Sequence, residues 1–216
     1  MAKISEHSLT TMVNQFVKFL TRLASAFLLV SVCWVLVLRV VPVRLTPLML
    51  IRMAEARRHG NSLAIRQTWV PIENISPDMI AAVVDSEDAG FYTHRGFDWD
   101  AICSAYRANR YYGRIVRGGS TISQQTAKNV FCTPSRTYLR KAFEAYFTAL
   151  IELLWGKERI MEVYLNVAET GDGLFGVEAI AQSRFGHSAD RLSPSEARCI
   201  ASILPCPHCY NGYTAR

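Results

Sequence analysis

The chain has 216 residues, half of them hydrophobic, which suits one domain of ordinary size with a substantial core and a short additional segment. Its 24 lysines and arginines outnumber its 18 aspartates and glutamates, giving a net charge of +6 and a pI of about 9.1. This charge indicates an anionic partner, either a nucleic acid or an anionic membrane or phosphorylated lipid, and does not define the fold. No repeat or low-complexity tract occurs in the sequence, so repeat architectures are excluded.

The first predicted element is an apolar helix, which favours the membrane among these partners. Residues 23–38 carry no charge and lie between Arg22 and Arg39. This run is slightly short for a hydrocarbon core of about 30 Å, but a few more residues, with both arginines directed outward, bring it to spanning length. No small-residue cleavage site follows it. The sequence therefore predicts a single transmembrane signal anchor over residues 23–41, after a cytoplasmic tail of residues 1–22.

The charges that flank this anchor leave its orientation open. Lys18 and Arg22 precede it closely, whereas arginines follow it at positions 39, 44, 52, 57 and 58. Counted alone, this excess would keep the C-terminal part of the chain in the cytoplasm. Long domains cross membranes despite their charge, so the count does not decide the topology.

A connector and a mostly α-helical domain are predicted after the anchor. Residues 42–70 combine an apolar run at 48–51 with the polar segment RMAEARRHGNS, which is typical of an amphipathic segment on a membrane surface. The domain itself is predicted over residues 71–209, with a short C-terminal tail at 210–216. Strand signals are scarce in it.

Capping signals and apolar periodicity predict the main helices of this domain. Ser76 is a natural N-cap followed by Pro77 at the first helical position, and Gly90 ends that helix. A capping box beginning at Ser193 opens the last helix, which stops before Pro205. Three further helices are predicted over residues 100–112, 138–155 and 157–168.

The first chemically informative stretch is SEDAGFYTHRGF, residues 86–97. Glu87 ends the apolar helix on its buried face, four residues after Val83. Partial removal from water raises the pKa of a carboxyl group toward neutrality, as general acid–base catalysis requires. His94, just past the turn, is placed to orient this carboxylate or to bind a substrate. The alternative is a structural carboxylate paired with His94 or Arg95.

The second stretch is RGGSTISQQTAKN, residues 117–129. It lacks the lysine of a phosphate-binding P-loop and the S-x-x-K of penicillin-binding acyltransferases. Its amide and hydroxyl groups suit sugar or pyrophosphate oxygens, with Lys128 as a point charge. The alternative is a polar loop that leads into a helix.

The third stretch is RKAFE, in which Arg140 and Glu144 are four residues apart. The pair is either a surface ion pair that contributes about 0.2–0.5 kcal/mol or part of a site. Glu87 and Glu144, on different helices, fit a glycosyl-transfer site if they face one cleft. Paired metal-ligand motifs are absent. Cys206 and Cys209 lack the strand-to-helix setting of a thiol oxidoreductase, which favours a local disulfide or two free thiols.

Taken in this order, these stretches resemble the motifs of the peptidoglycan glycosyltransferases of family 51, specifically the monofunctional, membrane-anchored kind. The resemblance covers about residues 69–207. The matching residues are Glu87, Asp88, Phe91, His94 and Gly96; Gly118, Ser120–Gln125, Lys128 and Asn129; Arg140, Lys141 and Glu144; and Lys157, Ile160, Tyr164, Leu165 and Asn166.

The resemblance implies a mostly α, lysozyme-like two-lobed glycosyltransferase domain preceded by a single N-terminal transmembrane helix. Such an enzyme polymerises lipid II into linear β-1,4 glycan strands by inverting glycosyl transfer, with release of undecaprenyl pyrophosphate. Glu87 matches the general base, and Glu144 matches the second catalytic carboxylate, which assists at the pyrophosphate. The implied substrate-binding residues are His94, Gly119, Ser120, Thr121, Gln124, Gln125, Lys128, Asn129 and Arg140.

The same resemblance implies a divalent cation, Mg²⁺ or Mn²⁺, at the pyrophosphate and no organic cofactor. Its implied partners are lipid II, the nascent glycan chain and the cytoplasmic membrane, with other cell-wall synthesis and division proteins as further candidates and no nucleic acid. The family places the domain on the periplasmic side of the bacterial inner membrane, which overrides the charge count. Ser104 departs from the family, which usually has arginine or lysine there against a phosphate.

Two other functions stay open on the sequence alone. A lytic enzyme with the same lysozyme-like plan would cleave glycan with Glu87 as general acid, although the anchor and the glutamine-rich stretch argue against it. A catalytically inactive membrane scaffold is supported only by Ser104 and by the few residues that follow the last motif. An assay with labelled lipid II and with added glycan distinguishes the three functions.

Overall fold

The computed structural model describes residues 6–60, 64–114, 116, 118–135 and 137–207, with side chains from residue 10 onward. The chain divides into two compact units, Met1–Val40 and Val41–Arg216. In its described part, the first unit is one helix, α1 (Glu6–Leu38), in which Thr10–Leu38 is long and apolar enough to cross a membrane. The predicted apolar helix is confirmed, although it begins well before residue 23.

The second unit is mostly α-helical, as predicted. Its described helices are α2 (Pro47–Arg58), α3 (Pro77–Glu87), α4 (Trp99–Tyr112), α5 (Ile122–Phe131), α6 (Tyr138–Leu154), α7 (Lys157–Val167), α8 (Val177–Phe185) and α9 (Pro194–Ile203), with 3₁₀ turns at Ile72–Asn74 and Ala189–Arg191. Helices α6 and α7 agree with their predicted ranges to within one residue. Their apolar residues recur at three- and four-residue steps, which explains the agreement.

A small sheet accompanies the helices. Its strands are β1 (Arg66–Gln67), β2 (Glu169–Gly171) and β3 (Leu174–Phe175), in the order β1-β3-β2. Strand β3 pairs in parallel with β1 and antiparallel with β2. Strands of two or three residues are too short to show alternation between two faces. This explains why strand signals are scarce in the sequence.

Two of the predicted helix starts are observed, but they are stabilised differently. At the start of α9, Ser193 and Glu196 form the predicted capping box. At the start of α3, Pro77 occupies the first turn, but the Ser76 hydroxyl donates to the carbonyl of Leu192 at 2.9 Å instead of capping its own helix. Ser76 therefore ties α3 to the segment that leads into α9, against which α3 packs.

Helix α5 lies in the core of the second unit. It packs against α6 and α7, with a smaller contact to α2. Ile122 and Ala127 are fully buried, as are Met161 and Leu165 of α7. Polar side chains of α5 are buried as well, including Ser123 and Thr126. A short helix with so much of its surface covered has its ends and side chains firmly placed, and both the second motif and part of the candidate site lie on it.

The connector contains α2, which is bound to the domain by an ion pair. The guanidinium of Arg52 donates to both oxygens of Glu169, from Nε at 2.9 Å and from Nη2 at 3.0 Å. This contact raises the pKa of Arg52, and Glu169 on β2 is buried. Met49 is buried, whereas Leu45 and Leu50 are about half exposed. Placement of this connector on a membrane surface stays a prediction.

Candidate active site

The carboxylate of Glu87 lies at the C-terminal end of α3 with its two oxygens in different surroundings. Oε2 accepts a hydrogen bond of 2.7 Å from the side-chain amide of Gln125, on α5. Oε1 is buried and has no hydrogen-bond partner in the part of the chain that the structure describes. The alternative pairing with His94 or Arg95 is not what the structure shows. A buried carboxylate oxygen without a donor is costly in a folded protein and indicates a functional atom.

Asp88 joins the first motif to the second. Its side chain is buried and accepts a hydrogen bond of 2.9 Å from the backbone N–H of Ile122, the first residue of α5. It also contacts Nε2 of His94 at 2.9 Å. A carboxylate at this position satisfies one of the N–H groups that a helix start leaves without an intrahelical partner. Asp88 therefore holds the end of α3 against the start of α5.

The geometry around His94 defines its tautomer. Nδ1 accepts a hydrogen bond of 3.0 Å from the backbone N–H of Gly96, so this nitrogen carries no proton. The ring proton is then on Nε2, from which it is donated to Asp88. The predicted substrate-binding role of His94 stays a prediction, and both ring nitrogens contact protein groups.

Gly96 occupies a position that only glycine fits. Its φ is +88°, and a Cβ atom there would lie 2.9 Å from side-chain atoms of both Thr148 and Glu152 on α6. Its carbonyl accepts a hydrogen bond of 2.6 Å from the hydroxyl of Thr121. The glycine thus lets the first motif pack closely between α6 and the start of α5.

The start of α5 explains part of the second motif. Thr121 is the N-cap and forms a capping box with Gln124, and both side chains are buried. Gly119 packs on α4, because a Cβ there would lie 3.2 Å from the Cα of Ile102. Ser120 is exposed. The alternative of a polar loop that leads into a helix therefore describes part of this stretch. The side chains of Thr121 and Gln124 cap the start of α5.

Lys128 lies on α5 and interacts electrostatically with both predicted catalytic carboxylates, Glu87 and Glu144. Burial lowers the pKa of its ammonium, while the charges of Glu144 and Glu87 act in the opposite direction and those of Arg140 and Lys141 in the same direction as burial. Lys128 forms no salt bridge with any residue in the described ranges. The structure thus brings Glu87 and Glu144 to the surroundings of one half-buried cation. Asn129, one residue on, is buried.

Glu144 is held by two cations of its own helix. Nη1 of Arg140 donates to one oxygen and Nζ of Lys141 to the other. The Glu144 side chain is 3% exposed, whereas those of Arg140 and Lys141 are 18% and 46% exposed. The pair is therefore more than a contact on the protein surface, because its carboxylate is buried. The cations keep part of their surface open to an anionic ligand.

A second layer of contacts was not recognisable from the sequence. Glu152 accepts hydrogen bonds from the hydroxyl of Ser123 and, at 2.6 Å, from Nζ of Lys157. The same Lys157 ammonium lies 4.6 Å from the centre of the Phe91 ring. These four residues belong to four separate stretches of the chain, and their shared contacts hold the motifs together. Periodicity places each of them on a helix face or turn but does not pair them.

The divalent cation implied by the family resemblance stays a prediction. No group of three or more His, Cys, Asp or Glu side chains placed to hold a metal ion occurs among the described residues. Both oxygens of Glu144 are engaged by cations. The described residues therefore do not form a metal site by themselves.

The two C-terminal cysteines are a separate case. Cys206 is disulfide-bonded, which contradicts a free thiol there, and Cys209 lies outside the described residues.

The sequence of this chain is similar to those of a known family and of several known proteins. The family described as Transglycosylase matches residues 56–216. The chain is 49% identical over 190 residues to the biosynthetic peptidoglycan transglycosylase of Bdellovibrio bacteriovorus, covering 88% of this chain and 76% of that protein. For the proteins of the same name from Caulobacter vibrioides and Azoarcus sp., the identities are 50% and 52%, with 80% and 76% of this chain and 72% and 71% of theirs covered.

Proposed function

The chain belongs to the transglycosylase family, and from that premise we propose how the residues of its candidate site carry out the reaction. The protein is a peptidoglycan glycosyltransferase with a lysozyme-like, mostly helical domain. It polymerises lipid II into linear β-1,4 glycan strands by inverting transfer, with release of undecaprenyl pyrophosphate. The observation that carries the assignment of roles is the pair of unlike oxygens on Glu87, one held by Gln125 and one buried without a donor.

Glu87 is the general base in this proposal. The 4-hydroxyl of the acceptor sugar gives its proton to Oε1 while its oxygen attacks the anomeric carbon of the donor chain. A carbon–oxygen bond forms on one face of the sugar as the bond to the pyrophosphate oxygen breaks on the other, which inverts the anomeric configuration. The pyrophosphate leaves with the bonding electron pair, and the proton stays on Glu87. A buried oxygen without a competing donor is suited to accept that proton.

Lys128, Arg140 and Glu144 serve the pyrophosphate in this proposal. The ammonium of Lys128 is half-buried and has no salt bridge with the residues that the structure describes, which is unfavourable unless an anion compensates it. The leaving pyrophosphate is such an anion, and it gains charge as the glycosidic bond forms. Arg140 uses one nitrogen for Glu144 and retains further N–H donors for a phosphate oxygen. Glu144 fixes the orientation of Arg140. A divalent cation, if bound beside Lys128 and Arg140, would supply further positive charge to the leaving pyrophosphate.

The membrane contributes the substrate. Lipid II is a membrane lipid, and α1 fits a single-pass anchor in its length and composition. We place the catalytic domain on the periplasmic side of the bacterial cytoplasmic membrane, where the family polymerises its substrate. Other cell-wall synthesis and division proteins are proposed as partners.

The experiment that tests this function follows the fate of a labelled substrate. Purified full-length protein in detergent is incubated with labelled lipid II, and in parallel with preformed glycan. Polymer in the first reaction and intact glycan in the second are expected. Glycan cleavage would support the lytic function instead, and no reaction with either substrate would support the inactive scaffold.

A further inference from the structure

We propose that Gln125 is a positioning residue for the catalytic base, which selects the oxygen of Glu87 that receives the acceptor's proton. This inference rests on the proposed role of Glu87 as the base. Gln125 was predicted to bind substrate, as part of the glutamine-rich motif. In the structure its amide group is instead directed to the carboxylate of another helix.

A chain of two hydrogen bonds defines the orientation of this amide. The hydroxyl of Tyr164, on α7, donates to Oε1 of Gln125 at 3.4 Å. Nε2 of Gln125 then donates to Oε2 of Glu87 at 2.7 Å. Tyr164 is fully buried, and burial, together with the charges of Glu87 and Asp88, raises the pKa of its phenol well above the ordinary value. A carboxylate only accepts hydrogen bonds, so the amide presents its nitrogen to Glu87 and its oxygen to the protonated hydroxyl of Tyr164.

The consequence falls on the two oxygens of Glu87. Oε2 is engaged by a donor, which disfavours a proton on that atom, whereas Oε1 is buried and without a donor. A hydrogen bond to the ionised form of a carboxylate also favours that form. The amide of Gln125 thus occupies Oε2 and leaves Oε1 as the oxygen that receives the acceptor's proton.

The charged groups near Glu87 do not take over the hydrogen bond that Gln125 donates to it. On α9, which packs against α3, Glu196 is held by Ser193 and His187 at that helix's own start, and Arg198 is exposed. Among the described residues, Lys128 on α5 and Tyr164 on α7 interact electrostatically with Glu87, and Asp88 follows it in the chain. Asp88 is fully engaged by Ile122 and His94, and Lys128 lies in the same surroundings as Glu144. Of these elements, only the amide of Gln125 donates directly to Glu87 in the described structure.

The test compares two glutamine-to-methionine variants. Gln125→Met keeps the length of the side chain and removes the donor to Glu87. Gln182→Met is the matched control, because Gln182 on α8 also donates from Nε2 to a glutamate, Glu178, at 2.9 Å. Tyr164→Phe removes the single hydroxyl that orients the amide. Polymer formation from labelled lipid II by the full-length proteins gives kcat and KM across a range of pH, and thermal unfolding reports on folding.

For Gln125→Met we expect kcat to fall by about 10- to 100-fold, with little change in KM, because the base is no longer held in position. We expect the acid limb of the pH profile of the variant to move to higher pH, because the carboxylate loses the donor that contacts Oε2. Tyr164→Phe is expected to shift the limb in the same direction by less. Gln182→Met is expected to leave the profile in place.

A raised KM with an unmoved acid limb in Gln125→Met would show that Gln125 binds substrate, and it would overturn the inference. If that variant does not fold, an unmoved limb in Tyr164→Phe has the same meaning. Glu87→Gln is measured in the same series, so that the role of Glu87 as the base and the role of Gln125 in positioning it are tested separately. Retained activity in Glu87→Gln would overturn the base assignment and this inference with it, whereas an inactive Glu87→Gln beside an unmoved limb in Gln125→Met would overturn the inference alone.

Discussion

Replacing Glu87 by glutamine changes the chemistry of one oxygen with almost no change in shape. The amide of Gln125 still requires an acceptor at its 2.7 Å contact, so the new side chain must turn its carbonyl oxygen toward Gln125. Its NH₂ group then occupies the place of the buried Oε1 and presents a donor where the acceptor's hydroxyl needs a base. General base catalysis contributes about 10²- to 10⁴-fold. We expect a loss near the upper end, because an unactivated sugar hydroxyl is a poor nucleophile.

Polymer formation from labelled lipid II measures this loss, and thermal unfolding verifies that the variant is folded. Glu73→Gln is the matched control, since it removes the same charge at an exposed position of the 3₁₀ turn Ile72–Asn74. The control is expected to retain its activity. Binding of lipid-linked substrate to Glu87→Gln is expected to persist, because the phosphate contacts come from other residues. More than about a tenth of wild-type activity, well outside the range of general base catalysis, would refute the mechanism.

Three further outcomes are expected. Glu144→Gln lowers turnover by about 10²-fold or more, since it leaves Arg140 and Lys141 without their counter-charge; near-normal turnover in the polymer assay would reduce the pair to a structural contact. Gly96→Ala lowers the free energy of unfolding by about 1–2 kcal/mol through its positive φ and by about 1–3 kcal/mol more through its contacts with α6. Gly113→Ala is the control, because φ is +63° there and no atom lies within 4 Å of an added Cβ, so denaturant unfolding measures the cost of the positive φ alone. Equal losses of unfolding free energy in the two variants would contradict the predicted clash of Gly96→Ala with α6. A reporter active only outside the cytoplasm and fused after Arg216 is expected to be active, and a silent but stable fusion would reverse the topology.

The parts of the fold that could be predicted are those whose signals are local. Helices α6 and α7 show apolar periodicity over their whole length, and α9 begins with a capping box that is readable from Ser193 and Glu196. For α5 the sequence left open a polar loop that leads into a helix and gave no bounds, because the buried surface of this helix includes polar residues such as Ser123 and Thr126. Periodicity of apolar residues does not detect a helix whose polar side chains are buried. Its capping box at Thr121 and Gln124 was present in the sequence but was attributed to substrate contacts.

The site shows the same division between local and distant contacts. Glu87 could be placed on a buried helix face, but its predicted neighbours were His94 and Arg95, which are close in the chain. The observed partner, Gln125, is 38 residues away. The ion pair between Arg52 and Glu169 joins residues 117 positions apart and had no sequence signal. Motif resemblance proposed the residues of the candidate site, and the fold supplied the contacts among them.

Helix α5 has a consequence for inhibitors of wall synthesis. Gln125 and Lys128 project from the same short helix whose other positions form the core and the N-terminal cap. A compound that binds across these two side chains contacts groups to which we assign roles in turnover. A resistance mutation must change either those groups or the residues that support them. Each such change is expected to lower the turnover of the enzyme. The exposed Ser120 just before the helix offers no comparable support, so compounds that depend on it are expected to meet resistance sooner.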